Sequence, residues 1–131
     1  MRLLLDTHTL IWYTENSLLL SLTAFSLIDN PLNSVFVSMV SFYEIAIKVN
    51  IGKLDSTKTL YQFYQDTTAN QILILPINET YLTNYLSIPF FSQHRDPFDK
   101  LIIATAMEDH LTIITTDKKF ILYKELVDII W

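Results

Sequence analysis

Cysteine is absent from this sequence of 131 residues, which excludes disulfides, zinc–thiolate sites and a thiol nucleophile. Any metal must be held by oxygen or histidine. Basic residues are also scarce: nine Lys and Arg stand against fourteen Asp and Glu, a formal net charge of −5. That balance argues mildly against a protein that coats nucleic acid by simple electrostatics, since phosphate binding rests on clustered Lys and Arg. Glycine occurs once, and Gly52, just past an apolar helical pattern, reads as a helix cap. Long hydrophobic runs are missing too. Met1 to Leu5 is too short for a signal peptide or a membrane span, and the longest apolar stretch, Leu18 to Ile28, is broken by Ser21, Thr23 and Ser26. A cytoplasmic protein with no membrane contact is the expectation. Half the residues are apolar, enough for one core in a single domain over residues 1–131.

What is present is an alternation of β and α patterns without a linker or repeat. Short Leu-, Ile- and Val-rich runs at Arg2–Leu5, Val35–Ser38, Ile72–Leu75, Thr112–Thr115 and Val127–Ile130 read as buried parallel strands. Helical patterns fill the gaps at Thr9–Tyr13, Thr23–Ile28, Phe42–Val49, Lys58–Ala69, Glu79–Leu86 and Pro97–Asp109. Strands separated by helices imply right-handed crossovers and a mostly parallel, five-stranded sheet covered on both faces.

Four acids stand where such a fold does its chemistry. Asp6 follows Leu3-Leu4-Leu5 and Asp117 follows Ile113-Ile114-Thr115-Thr116, so on neighbouring parallel strands both carboxylates emerge at the carboxyl edge of the sheet. Glu44 and Asp99 sit near helix amino termini, which lie along that same edge. Each residue also has a purely structural reading. Asp6 suits a helix N-cap; Ser41 and Glu44 have the spacing of a capping box; Asp96, Pro97 and Asp99 favour a helix start; Asp117 could begin a turn with Phe120 packed on the core. Convergence separates the readings, because several acids on one edge repel each other and persist best with a cation between them.

The neighbours of these acids are candidates for contacts. The hydroxyls of Thr7 and Thr115 could bond a carboxylate or a substrate phosphate. Arg95 and Lys100 could meet phosphate oxygens once a cation neutralises the acidic centre. His8 and His94 read as hydrogen-bonded or exposed bystanders, and His110 as a favourable cation at a helix end.

The ordered set of these segments resembles the PIN-domain family, and within it the VapC-type toxin ribonucleases of type II toxin–antitoxin pairs. The likeness runs through Leu5-Asp6-Thr7-His8 with Trp12 following, Ser41 through Glu44-Ile45-Ala46-Ile47-Lys48, Gly52-Lys53-Leu54, Ile88-Pro89, His94-Arg95-Asp96-Pro97-Phe98-Asp99, Leu101 to Ala106 and Thr115-Thr116-Asp117. It implies a three-layer α/β/α sandwich around a central parallel sheet. It further implies Mg²⁺ or Mn²⁺ dependence, endonucleolytic cleavage of RNA by metal-activated water, and a cognate antitoxin. The implied catalytic and metal-ligating residues are Asp6, Glu44, Asp99 and Asp117, with Asp96 as a structural cap. Lys100 stands where many members carry Arg, which would weaken a bidentate phosphate contact. Apolar helix faces suit a homodimer. The alternative is a noncatalytic PIN-fold module that binds a protein partner or RNA. A receiver domain would want an acid after the third strand, where Leu75 is followed by Pro76.

Overall fold

The computed structural model describes residues 1–131. Its elements run β1 (Arg2–Leu5), α1 (Thr7–Thr14), α2 (Leu22–Ile28), β2 (Ser34–Ser38), α3 (Met39–Asn50), α4 (Leu60–Ala69), β3 (Leu73–Leu75), α5 (Glu79–Ser87), α6 (Pro97–Asp109), β4 (Thr112–Ile114), a 3₁₀ turn (Lys118–Tyr123) and β5 (Ile129–Ile130). The strands form one sheet in the order β3-β2-β1-β4-β5, and every pairing is parallel. The order reverses between β1 and β4. In an open α/β sheet that reversal leaves a crevice beyond the strand ends, because successive crossovers leave it towards opposite faces.

Alternation along the strands assigns the two faces. Leu4 in β1, Phe36 in β2 and Ile113 in β4 pack with Ile102, Ile103 and Ala106 of α6, Tyr81 of α5, and Phe120 and Tyr123 of the 3₁₀ turn. Leu3, Leu5, Val35, Val37 and Ile114 face the other way, onto Leu10 and Ile11 of α1, Ala24 of α2, Phe42 and Ile45 of α3, and Phe63 of α4. The expected three-layer α/β/α arrangement is therefore observed. No helix is long and apolar enough to cross a membrane.

Local chemistry sets the boundaries, and three expectations are corrected. α3 starts at Met39 directly after β2, because the Ser38 side chain accepts from the Val40 amide and caps the helix. Ser41 lies inside the first turn, fully buried, so it is not the cap. Gly52 follows the end of α3 with φ +68°, the left-handed conformation that a glycine adopts without strain. The third strand begins at Leu73: the Ile72 amide instead donates back to the Thr67 carbonyl, closing α4 through Gln71 at φ 59°. The last strand is likewise shorter than its apolar pattern, since the Val127 amide is used on the Tyr123 carbonyl.

Candidate metal centre at the carboxyl edge of the sheet

Asp6 is the first residue beyond β1, and its amide donates to the carbonyl of Ile114 at the end of β4 (3.3 Å), which pins it to the reversal point. One carboxylate oxygen accepts from the Thr9 amide (2.7 Å) and caps α1. The other accepts from the Thr115 hydroxyl (2.5 Å). Capping and site membership thus coincide in one residue, and burial raises the Asp6 carboxyl above its ordinary range despite those hydrogen bonds. The Thr115 oxygen accepts in turn from the Asp117 amide (3.0 Å), joining the two strand-end acids through a single hydroxyl. Asp117 caps the 3₁₀ turn with one oxygen, which accepts from the Lys119 amide (2.8 Å).

The helices supply the other wall. Asp96 is the N-cap of α6, its Oδ1 accepting from the amides of Phe98 and Asp99, with Pro97 at the first helical position. This sets Asp99 in the first turn. Its Oδ2 meets Nε2 of His94 at 2.8 Å, and Nδ1 of that ring lies 3.1 Å from the Tyr123 hydroxyl. Glu44 projects from α3 and is paired with Lys48 one turn on (2.9 Å), whose ammonium also lies 3.3 Å from His8 Nε2.

Asp6, Glu44, Asp96, Asp99 and Asp117 line one open cleft of about 430 Å³, together with Thr7, His8, Ile47, Lys48, Ile51, Lys53 and Phe98. At its edge, single donor atoms of Asp99, Asp117 and the buried His94, which is not among the cleft-lining residues, fall within 4.8 Å of one another. The Asp99 carboxyl is pushed up to about 8, first by burial and then by the charges of Asp96, Glu44, Asp6 and Asp117. Burial lowers the pKa of His94, which favours its neutral form.

The fit of a metal rests on this chemistry. No buried side-chain nitrogen or oxygen lacks a partner, so no orphaned ligand marks a position. The charge balance does: carboxylate oxygens predominate, Lys48 is the only cation paired with a cleft acid, and the charges of four neighbouring acids add to burial in raising the Asp99 carboxyl. Hard oxygen donors with a deficit of positive charge suit Mg²⁺ or Mn²⁺.

The neighbouring candidates are placed differently from the acids. Thr7 lines the cleft, but its hydroxyl donates inward to the Ser41 oxygen (3.0 Å). Thr115 is buried, and its hydroxyl is bonded on both sides to the acid network, connecting Asp6 with Asp117. Arg95 and Lys100 do not enter the acidic cleft. Their cationic groups lie 5.7 Å from the Phe90 ring centre and 4.5 Å from that of Tyr85, beside a small recess backed by His94 and Tyr123. The cations that do face the acids are Lys48 and Lys53. Lys48 was legible in principle as the helical i+4 partner of Glu44; Lys53 carried no such signal.

A family model described as PIN domain matches residues 3–126. Among solved structures, the chain is similar to VapBC2 from Rickettsia felis bound to a promoter DNA fragment, with 15% identity, a TM-score of 0.69, and coverage of 100% of this chain and 99% of that one. It is similar to FitAcB from Neisseria gonorrhoeae, with 20% identity, a TM-score of 0.65 and coverage of 98% and 96%. It is similar also to VapBC-5, a member of the VapBC family of toxin–antitoxin systems from Mycobacterium tuberculosis, with 17% identity, a TM-score of 0.62 and coverage of 98% and 95%. No match to a curated protein sequence was found.

Proposed function

Because this chain belongs to the PIN domain family, we propose that it is the VapC-type toxin of a toxin–antitoxin pair, an endoribonuclease that uses Mg²⁺ or Mn²⁺ held by Asp6, Glu44, Asp99 and Asp117. The observation that carries this reading is the gathering of those acids around one cleft, at the point where the strand order reverses, with too little positive charge beside them. A divalent cation there supplies Lewis acidity towards a phosphodiester oxygen and makes a nearby water a stronger nucleophile.

The chain's own groups have separable tasks. The Thr9 amide and the Thr115 hydroxyl hold Asp6 so that its carboxylate needs no reorganisation during reaction. Lys48 offsets the charge of Glu44, and Lys53 faces the cleft where a substrate phosphate would lie. Arg95 and Lys100, on the outer side of His94, are suited to more distant phosphates of the strand. Cleavage is in-line attack of water on the scissile phosphorus, with departure of a ribose oxygen; no cysteine is present to offer a thiol nucleophile.

The expected partners are RNA, an antitoxin and a second copy of the chain, in the cytoplasm. Large apolar side chains at the surface, with Leu18, Leu22, Leu32 and Leu86 almost wholly in solvent, support protein partners. The test is incubation of the purified protein with a mixed panel of single-stranded and structured RNAs, with Mn²⁺ or Mg²⁺, with EDTA, and with the Asp6→Asn variant. Metal-dependent cutting lost in both controls is expected. Folded, metal-bound protein that cuts no RNA would return the reading to a noncatalytic binding module.

A further inference from the structure

His94 looks at first like a buried histidine with both nitrogens satisfied. It is only 5% exposed, and its ring packs against Phe120 (5.7 Å between centres) and Tyr123 (5.5 Å). Three features take it beyond packing. The first is that Nε2 is the only hydrogen-bond partner of the Asp99 side chain, in a cleft where no Lys or Arg pairs with Asp99. The second is direction: Nδ1 faces the hydroxyl of Tyr123, itself 1% exposed, so a phenol that donates to Nδ1 leaves the proton of a neutral ring on Nε2, aimed at Asp99 Oδ2. The third is connectivity. Tyr123 ends the same 3₁₀ turn that Asp117 begins, so the chain Tyr123–His94–Asp99 ties the first turn of α6 to the segment that carries Asp117.

We propose that Tyr123 and His94 form a buried positioning relay that fixes one oxygen of Asp99 and presents the other to the cation, with His94 not itself a metal ligand. This rests on the metal-site reading above. It decides between two roles for a ring whose nitrogen is near enough to Asp99 and Asp117 to share a cation with them. A ring protonated on Nε2 cannot ligate through that atom, whereas the opposite tautomer would turn a lone pair towards the Asp99 carboxylate. Outer partners that orient a ligand in this way commonly alter metal affinity by 10–100-fold when removed.

The test uses the full chain and does not depend on RNA. Mn²⁺ affinity is measured by calorimetry, histidine tautomers by ¹⁵N NMR of the protein with diamagnetic Mg²⁺, which holds Asp99 ionised, and nitrogen coordination to Mn²⁺ by pulsed EPR. The neutral Nε2–H tautomer for His94 and no histidine nitrogen on Mn²⁺ are expected. Mn²⁺ binding should weaken roughly 10-fold or more in His94→Ala, recover in part in His94→Gln, whose amide can donate to Asp99, and weaken by a smaller factor in Tyr123→Phe. Tyr123→Phe keeps the buried ring, so it also serves if His94→Ala does not fold. Nitrogen coupling from His94 on the bound ion, or wild-type Mn²⁺ affinity in both His94→Gln and Tyr123→Phe, would overturn the relay. Absence of Mn²⁺ binding by the wild-type protein would overturn the metal reading itself, a distinguishable result.

Discussion

The two edges of the sheet treat charge in opposite ways. At the amino edge, Arg2 at the start of β1 donates to the Asp109 carbonyl (2.6 Å) and lies 5.3 Å from the centre of the Phe36 ring, while Asp109 accepts from the Tyr81 hydroxyl (2.6 Å). The terminal ammonium is bonded to Asn33 (2.7 Å). At the carboxyl edge, just past the other end of β1, five acids, Asp6, Glu44, Asp96, Asp99 and Asp117, face one cleft, and a single lysine pairs with one of them. Packing and capping explain the first edge fully. At the second, capping places Asp6, Asp96 and Asp117 but does not require that they share one cleft with Glu44 and Asp99, a concentration of like charge that costs the folded chain stability unless a cation is bound. The amino edge is thus accounted for by folding alone, whereas the carboxyl edge is where the proposed metal site would act.

The largest effect that would break this distinction is on cleavage. Asp99→Asn and Asp6→Asn should each lower the cleavage rate by at least ~100-fold, beyond the range for outer partners of a metal site, while Asp109→Asn should leave it unchanged. Comparable losses at both edges in a single-turnover assay would show that stability, not the site, governs activity. Next in size is the response to metal. At 100 times its dissociation constant, Mn²⁺ should stabilise the protein against urea by about 2.7 kcal/mol, because it binds the folded cleft and not the unfolded chain. Asp99→Asn should reduce that gain, and Asp109→Asn should keep it. Equal gains in all three proteins would place the cation elsewhere.

A third effect reverses the usual expectation that deleting a buried carboxylate destabilises. With its pKa near 8 against an ordinary 3.8, Asp99 binds a proton more tightly in the folded than in the unfolded chain. Its contribution is therefore most favourable below pH 4, falls as pH rises from 4 to 8, and is constant above that. In EDTA at pH 8, Asp99→Asn should be more stable than wild type by on the order of 2 kcal/mol, discounted for the solvent at the cleft mouth. The difference should vanish near pH 4. Urea titrations across that range check the sign, and a variant less stable at pH 8 would mean that the carboxylates are not in electrostatic conflict.

How much of this edge was legible in the sequence follows from the range of the interactions involved. Asp6 and Asp117 could be located because a short apolar run ended by an acid is a local pattern, and Asp96-Pro97 announces its helix within two residues. The start of α3 is ambiguous in sequence because Ser38 and Ser41 are both cap-competent, and only the end of β2 selects the first. Lys100 was expected beside the acids through adjacency in sequence. On a helix, consecutive residues point about 100° apart, so placing Asp99 in the cleft turns Lys100 onto Tyr85. The meeting of His94 with Tyr123, 29 residues on, depends on how the 3₁₀ turn packs on α6, and no local pattern encodes it.

The smallest effect belongs to the amino edge and gives the comparison its control. Tyr81 is buried, with its hydroxyl 2.6 Å from Asp109 Oδ2, and burial, followed by that hydrogen bond and the charge of Asp109, pushes its pKa up to about 12. The folded chain therefore keeps the phenol proton longer than the unfolded chain does. The contribution is complete below pH 10 and is lost as pH rises from 10 to 12, the opposite end of the scale from Asp99. Tyr81→Phe should cost about 1 kcal/mol at pH 8, with no change in Mn²⁺ affinity, and the cost should shrink above pH 10. A Tyr81→Phe protein with weakened Mn²⁺ binding would show that the two edges communicate through α6, whose last turn carries Asp109 and whose first turn carries Asp99.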